Sequence, residues 1–180
     1  MSRPATTLPW TAEDFLAWER EQPERYEWDG VNIIAMTGGT LGHSTVAGNI
    51  HNAIRARLPA GCRVFQEGVK LRAGVGFRYP DVVVACQPEF DLHSDILEDA
   101  TIAVEVLSPS SARVDRGAKR ELYAHVPSLE TYLIVDPERR HLELYLREGD
   151  DLIPAPATGG DVELFGSVVI SIDDIYTDVL

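Results

Sequence analysis

Two runs, Arg78-Tyr79-Pro80-Asp81-Val82-Val83-Val84-Ala85 and Thr101-Ile102-Ala103-Val104-Glu105-Val106-Leu107, decide the fold. Both are short and nearly continuous in apolar, β-branched residues, the pattern of strands covered on two faces. Each nevertheless carries one carboxylate. Removing an ionised carboxylate from water costs on the order of several kcal/mol unless a cation or hydrogen-bond donors compensate it. If the two strands are neighbours, Asp81 and Glu105 converge, and a divalent metal is the natural compensator.

Outward from this pair the elements alternate. Upstream, Thr11 and Asp14 make a capping box for a helix over 12–22 that stops ahead of Pro23. Strands at 26–28 and 31–36 flank Asp29-Gly30, a hairpin turn signal. Val46, Ile50, Ile54 and Leu58 recur at helical spacing over 43–58, and 62–69 and 70–72 read as strands before a turn at 74–76. Downstream, Ser110 or Ser111 caps a helix over 112–125, closed by Pro127. A buried strand at 131–136, a turn at 137–140, an alternating strand at 141–146 and a last strand near 168–172 with a short helical end complete the chain.

At 180 residues and 44% hydrophobic composition, the chain reads as a single domain over 1–180, with a core at about 10–147 and an acidic extension at 148–180. The net charge of -13 argues against a simple nucleic-acid coat. Its distribution softens that objection, because 148–180 holds eight acidic residues and no Lys or Arg, leaving 21 acidic against 16 basic residues before it. The block 89–99 reads as a solvated acidic loop. Fourteen of the cations are Arg and only Lys70 and Lys119 are Lys, which either marks sites wanting a compact charge or reflects chance. No apolar run reaches the roughly 18 residues of a membrane span and no leader precedes Leu8, so a cytoplasmic protein is expected. Cys62 and Cys86 then read as reduced structural thiols, a disulfide being the alternative.

The order helix, three strands, helix, strand, with Pro80-Asp81 on the second strand and Glu105 on the third, resembles the PD-(D/E)xK phosphodiesterase superfamily. More narrowly, the chain resembles its Uma-type restriction endonuclease family. The likeness rests on Tyr26-Glu27-x-x-Gly30, His43, Arg78-x-Pro80-Asp81-Val82 and Glu105-Val106-Leu107-Ser108-Pro109-Ser110-Ser111 followed by Asp115, Lys119 and Tyr123. It implies an α/β, restriction-endonuclease-like αβββαβ core with a central mixed sheet flanked by helices, plus an N-terminal hairpin and a C-terminal strand extension. One departure stands out: Leu107 occupies the position of the superfamily lysine, on the same strand face as Glu105. In the Uma-type pattern that lysine moves to the following helix, where Lys119 matches. Asp115, Lys119 and Tyr123 at i, i+4 and i+8 form a stripe beside an apolar one of Val114, Ala118 and Leu122.

The chemistry so implied is metal-dependent phosphodiester hydrolysis, with DNA as substrate. Asp81 and Glu105 would ligate Mg²⁺ or Mn²⁺, with a backbone carbonyl near Val106 completing the shell by resemblance. Lys119 would act as the electrostatic stabiliser. Glu27, by resemblance, is a site-wall or metal-shell carboxylate; His43, Gln66, Asp115 and Tyr123 are further site-lining candidates. Plainer roles stay open. Asp81 can cap a turn, Glu105 can be ion-paired, and Lys119 can make a surface pair with Asp115. A catalytically inactive fold relative that binds nucleic acid or a protein partner is the alternative, and an enzyme acting on another phosphodiester is a third reading. A homodimer is expected from the two cuts of a duplex and from exposed hairpin edges. Neither a serine-hydrolase elbow, a structural zinc spacing nor a phosphate-binding Gly-Lys loop is present.

Overall fold

The computed structural model describes residues 10–36, 38–66, 68–87, 89–108, 115–157, 160–166 and 168–180. Helix α1 (Ala12–Glu19) leads into the hairpin β1 (Tyr26–Trp28) and β2 (Ile33–Ala35), then α2 (Leu41–Arg55). Strands β3 (Cys62–Gln66), β4 (Lys70–Ala73), β5 (Gly76–Arg78), β6 (Val82–Cys86), β7 (Ile96–Leu97) and β8 (Ile102–Val106) follow. A π-helical turn (Asp115–Lys119) runs into α3 (Arg120–Ala124). The chain continues through β9 (Thr131–Asp136), β10 (His141–Glu148), β11 (Asp151–Ala155), β12 (Asp161–Phe165), β13 (Val168–Ser171) and α4 (Ile172–Tyr176). No helix among the described residues is long and apolar enough to cross a membrane.

These elements make a mixed α/β fold. One sheet has six strands in the order β11-β10-β9-β8-β6-β3, with β8 and β9 parallel and its other pairs antiparallel. A second has five, β2-β1-β5-β4-β7, and β12 and β13 form a separate ribbon. Alternate residues of the six-stranded sheet face two cores. Val82, Val84, Ile102, Val104 and Val106 pack with Val46, Ile50 and Ile54 of α2. Val83, Ala85, Ala103 and Leu107 pack with Tyr123, Val126 and Leu129 and with Leu71 of the other sheet. The apolar stripe of α2 thus does what its spacing predicted, and Thr40 caps it by accepting the His43 amide at 3.2 Å.

Several expectations are corrected. The run 78–85 is two strands in two sheets: β5 ends at Arg78, and Tyr79-Pro80-Asp81 crosses to β6. Pro80 lacks a ladder donor, so the break falls where a continuous central strand could not hold its hydrogen bonds. Helix α1 keeps its capping box, with reciprocal Thr11 and Asp14 bonds at 3.1 and 3.0 Å, but stops at Glu19, whose side chain turns inward. Cys62 and Cys86 are not free thiols. The antiparallel β3/β6 register sets them directly opposite, and they are joined as a disulfide. The expected start of the third helix, with its Ser110 or Ser111 cap and Val114, lies outside the described residues. Where the helix is described, Lys119 and Tyr123 are buried while Ala118 is exposed, the reverse of the apolar-stripe reading.

The acidic segments also take part in the fold. In the block 89–99, Asp95 accepts from Lys70 at 2.5 Å and Glu98 from Arg72 at 2.5 Å, while Ile96 and Leu97 pair with β4. Lys70 is held from its other side by the buried Glu19, at 3.2 Å. After residue 148, Val162, Leu164, Val168, Ile170, Ile175 and Tyr176 all enter the core against α2 and β9. The Tyr176 hydroxyl reaches the β9–β10 turn, donating to the Asp136 carbonyl (2.9 Å) or that of His141 (3.1 Å) and accepting the His141 amide (3.1 Å).

Two outcomes follow from these contacts. Tyr176→Phe should lower the unfolding free energy by about 1–2 kcal/mol in urea titrations, since it strips partners from buried backbone groups. The hydrogen bond from Lys70 holds the Asp95 carboxyl below its usual value of 3.8 despite partial burial. A depressed folded pKa gives stability above that value which is lost as pH falls through the folded one. Asp95 is half exposed, so Asp95→Asn should cost no more than about 1 kcal/mol at pH 7. That difference should close as unfolding is repeated at progressively lower pH toward 3.

Candidate active site

Strands β6 and β8 are hydrogen-bonded neighbours with Val82 opposite Val104. Continuing that register by one residue sets Asp81 opposite Glu105, with both side chains on one sheet face. A direct bond confirms the proximity, because Asp81 Oδ2 accepts the backbone amide of Val106 at 2.7 Å. The same oxygen lies 3.3 Å from His43 Nε2, near the head of α2. No bond to Oδ1 is formed by the described residues.

Glu105 is 4% exposed and needs charge compensation at once. Lys119 Nζ lies 3.0 Å from its Oε2, and the Tyr123 hydroxyl donates to Oε1 at 2.6 Å. One turn of helix separates Lys119 from Tyr123, so both reach the same carboxylate. Lys119 emerges from the π-helical turn, a form that recurs at functional positions where a helix must re-aim side chains. Its ammonium also lies 3.3 Å from Glu27 Oε1, which belongs to β1 of the other sheet. Glu27 is further held by the Tyr79 amide (3.1 Å) and faces the buried Arg78 guanidinium, Nε to Oε2 4.0 Å.

Glu27, His43, Asp81, Glu105 and Lys119 all line one cavity of about 560 Å³. Its walls also include Arg25, Ile34, Met36, Tyr79, Pro80 and Ser108. Gln66 is not among the lining residues; it pairs with Val82 on β3. Tyr123 is fully buried behind Glu105, and burial beside that carboxylate pushes its hydroxyl far above the ordinary tyrosine range, so it stays protonated as the donor to Glu105. The Asp115 side chain lies outside the described residues.

Among the described residues, Lys119 and Arg78 face the Glu27 and Glu105 carboxylates, and His43 faces Asp81. No group of three His, Cys, Asp or Glu side chains in metal-holding arrangement occurs among the described residues. The two carboxylates that β6 and β8 bring to one sheet face, Asp81 and Glu105, offer oxygen donors, the kind that a hard cation keeping much of its water shell takes.

Residues 12–171 match the Uma2 family, described as "Putative restriction endonuclease". The chain belongs to this family. Two Synechocystis relatives named as uncharacterized proteins are similar along most of their length. The protein slr1290 is 34% identical over 141 residues, covering 77% of this chain and 74% of its own. The protein sll1609 is 29% identical over 153 residues, covering 81% and 85%. A crystal structure described as a putative nuclease belonging to DUF820, from Anabaena variabilis, shares the fold with a TM-score of 0.74 at 20% identity. The match covers 96% of this chain and all of that one. Family and fold together support a nuclease-like function for this Uma2 member.

Tyr79 and Arg78 went unselected in the sequence, although both lie in the quoted Arg78-x-Pro80-Asp81 run. Their part is to hold Glu27, and no spacing along one strand reports a contact made to another sheet. Arg25, next to the Tyr26-Glu27 pair, likewise went unselected. If Lys119 is the cation that allows Glu27 and Glu105 to stay buried, Lys119→Met should destabilise the fold by about 3–5 kcal/mol. Adding Glu105→Gln should recover part of that loss, so a double-mutant cycle by denaturant unfolding should give a coupling above about 1 kcal/mol.

Proposed function

We propose that the chain is a metal-dependent phosphodiesterase that cleaves DNA as an endonuclease. The observation that carries this reading is the convergence of Asp81 and Glu105 from neighbouring strands on one cavity, with the Lys119 ammonium between Glu105 and Glu27. Asp81 and Glu105 are the residues that would hold Mg²⁺ or Mn²⁺. Such a cation, when bound, supplies a polarised phosphoryl oxygen and a water of lowered pKa.

The chain's own groups do the rest. The Val106 amide and His43 hold Oδ2 of Asp81, so the carboxylate is positioned at the cavity before substrate arrives. Tyr123 pins Glu105 from behind. Lys119, held between Glu105 and Glu27, presents its positive charge at the cavity, where it would offset charge that builds on the phosphoryl oxygens, a role usually worth about 10²–10³ in rate. Glu27 holds that ammonium in place.

The edge strand β2 exposes Ile34 beside the cavity, as does Met36 just after it, and pairing of two copies along such an edge would bring two sites to a duplex. A non-catalytic DNA-binding module is the rival reading; it would show salt-sensitive DNA affinity without cleavage in any metal.

In a supercoiled-plasmid nicking assay with Mg²⁺ or Mn²⁺, the native chain should convert plasmid and EDTA should stop it. Asp81→Asn and Glu105→Gln should each reduce the rate by at least about 10²-fold. Unchanged nicking by both variants would sink the assignment.

A further inference from the structure

Binding a polyanion is difficult for a chain of net charge -13, and the cavity itself carries Glu24, Glu27, Asp81 and Glu105. Lys119 is committed to two of these carboxylates. A backbone phosphate therefore needs another cation at the cavity mouth. Among the described residues, Arg25 is the one arginine that lines the cavity. Arg57, Arg72, Arg139 and Arg140 are each engaged by an acidic side chain, whereas Arg25 forms no ion pair with the described residues.

The guanidinium of Arg25 is exposed yet not loose. Its Cζ lies 5.7 Å from the centroid of the Tyr79 ring. Its other boundary is the backbone at Gly68, where φ is +85° and an added Cβ would meet the guanidinium nitrogens at 2.8–3.0 Å. The positive φ favours glycine at 68, and its missing side chain leaves the guanidinium its place against the backbone. The Tyr79 ring is itself fixed, because its hydroxyl donates to the buried Glu19 at 2.7 Å and Glu19 is paired with Lys70. A second buried ionic cluster thus holds the platform on which an unpaired arginine rests, beside the carboxylates of the candidate site.

The geometry points to Arg25 as a phosphate clamp: it binds a backbone phosphate of the DNA substrate at the cavity mouth through its planar donor fork. This rests on the proposed nuclease reading, and it makes Arg25 a substrate-binding residue for that same site.

The test compares the native chain with Arg25→Gln, Arg25→Lys and, as a control, Arg63→Gln, whose arginine lies over Phe90 and outside the cavity. Affinity for a fluorescein-labelled 20-base-pair duplex is read by anisotropy in Ca²⁺ across a NaCl series, and plasmid nicking in Mg²⁺ gives kcat and KM. Arg25→Gln should weaken binding about tenfold, lower the slope of log K against log salt by about 1, and raise KM with kcat nearly unchanged. Arg25→Lys should keep the slope, and Arg63→Gln should match the native chain. If the native chain binds and nicks while Arg25→Gln shows the same slope and KM, or loses only thermal stability, the clamp is overturned and the nuclease reading stands. If the native chain neither binds nor nicks, both fall.

Discussion

One buried ammonium, that of Lys119, connects parts of the chain that have no other reason to meet. Glu27 comes from a three-residue strand in one sheet, Glu105 from the middle of the other, and Lys119 from a helical turn more than ten residues beyond Glu105. Each carboxylate is almost wholly removed from water, so neither would remain charged there alone. The seam between the sheets is therefore held by charge as well as by apolar contact. Such a seam contributes little net stability against well-packed apolar alternatives, but it fails badly when one member is removed. It is better understood as fixing the relative placement of the three elements than as a source of stability.

The second tie across the same seam is covalent. Tyr79-Pro80-Asp81 passes from β5 to β6, and each end of this tripeptide touches the centre: the Tyr79 amide binds Glu27, and the Asp81 carboxylate binds the Val106 amide. The crossing therefore delivers a carboxylate to the end of β6 at the place where the two sheets part and leave a cavity. Behind it, the Tyr79 ring is coupled through Glu19 to Lys70, so the crossing is fixed on both sides by ionic groups.

Much of this was readable in the residues. The helix with Val46, Ile50 and Ile54, the strand 131–136 and the buried placement of Glu105 each follow from periodicity or from a carboxylate in an apolar run. What escaped has a common cause, which is that local pattern does not report tertiary pairing. The apolar stripe rule would bury Ala118 with Leu122, yet Lys119 and Tyr123 go inside because Glu105 needs a cation and a donor more than the core needs two more methyl groups. The alternation across 78–85 hides a change of sheet at Pro80. Cys62 and Cys86 lie 24 residues apart, and only the β3/β6 register sets them face to face. The acids in 89–99 looked like solvated charge, but Ile96 and Leu97 among them pair with β4, and the acidic extension after 148 brings its strand and helical end into the core over α2.

The scarcity of lysine has a chemical consequence of its own. Both ε-amines of the chain, those of Lys70 and Lys119, are buried and each is gripped by two carboxylates. Every other side-chain cation except histidine is a guanidinium, which stays charged at any physiological pH. Acylation and ubiquitin conjugation of lysine need a reachable ε-amine, and the folded chain presents none. Its outward cationic charge is thus insulated from the commonest enzymatic means of erasing charge, while the two amines that hold its centre together are shielded by the fold they maintain.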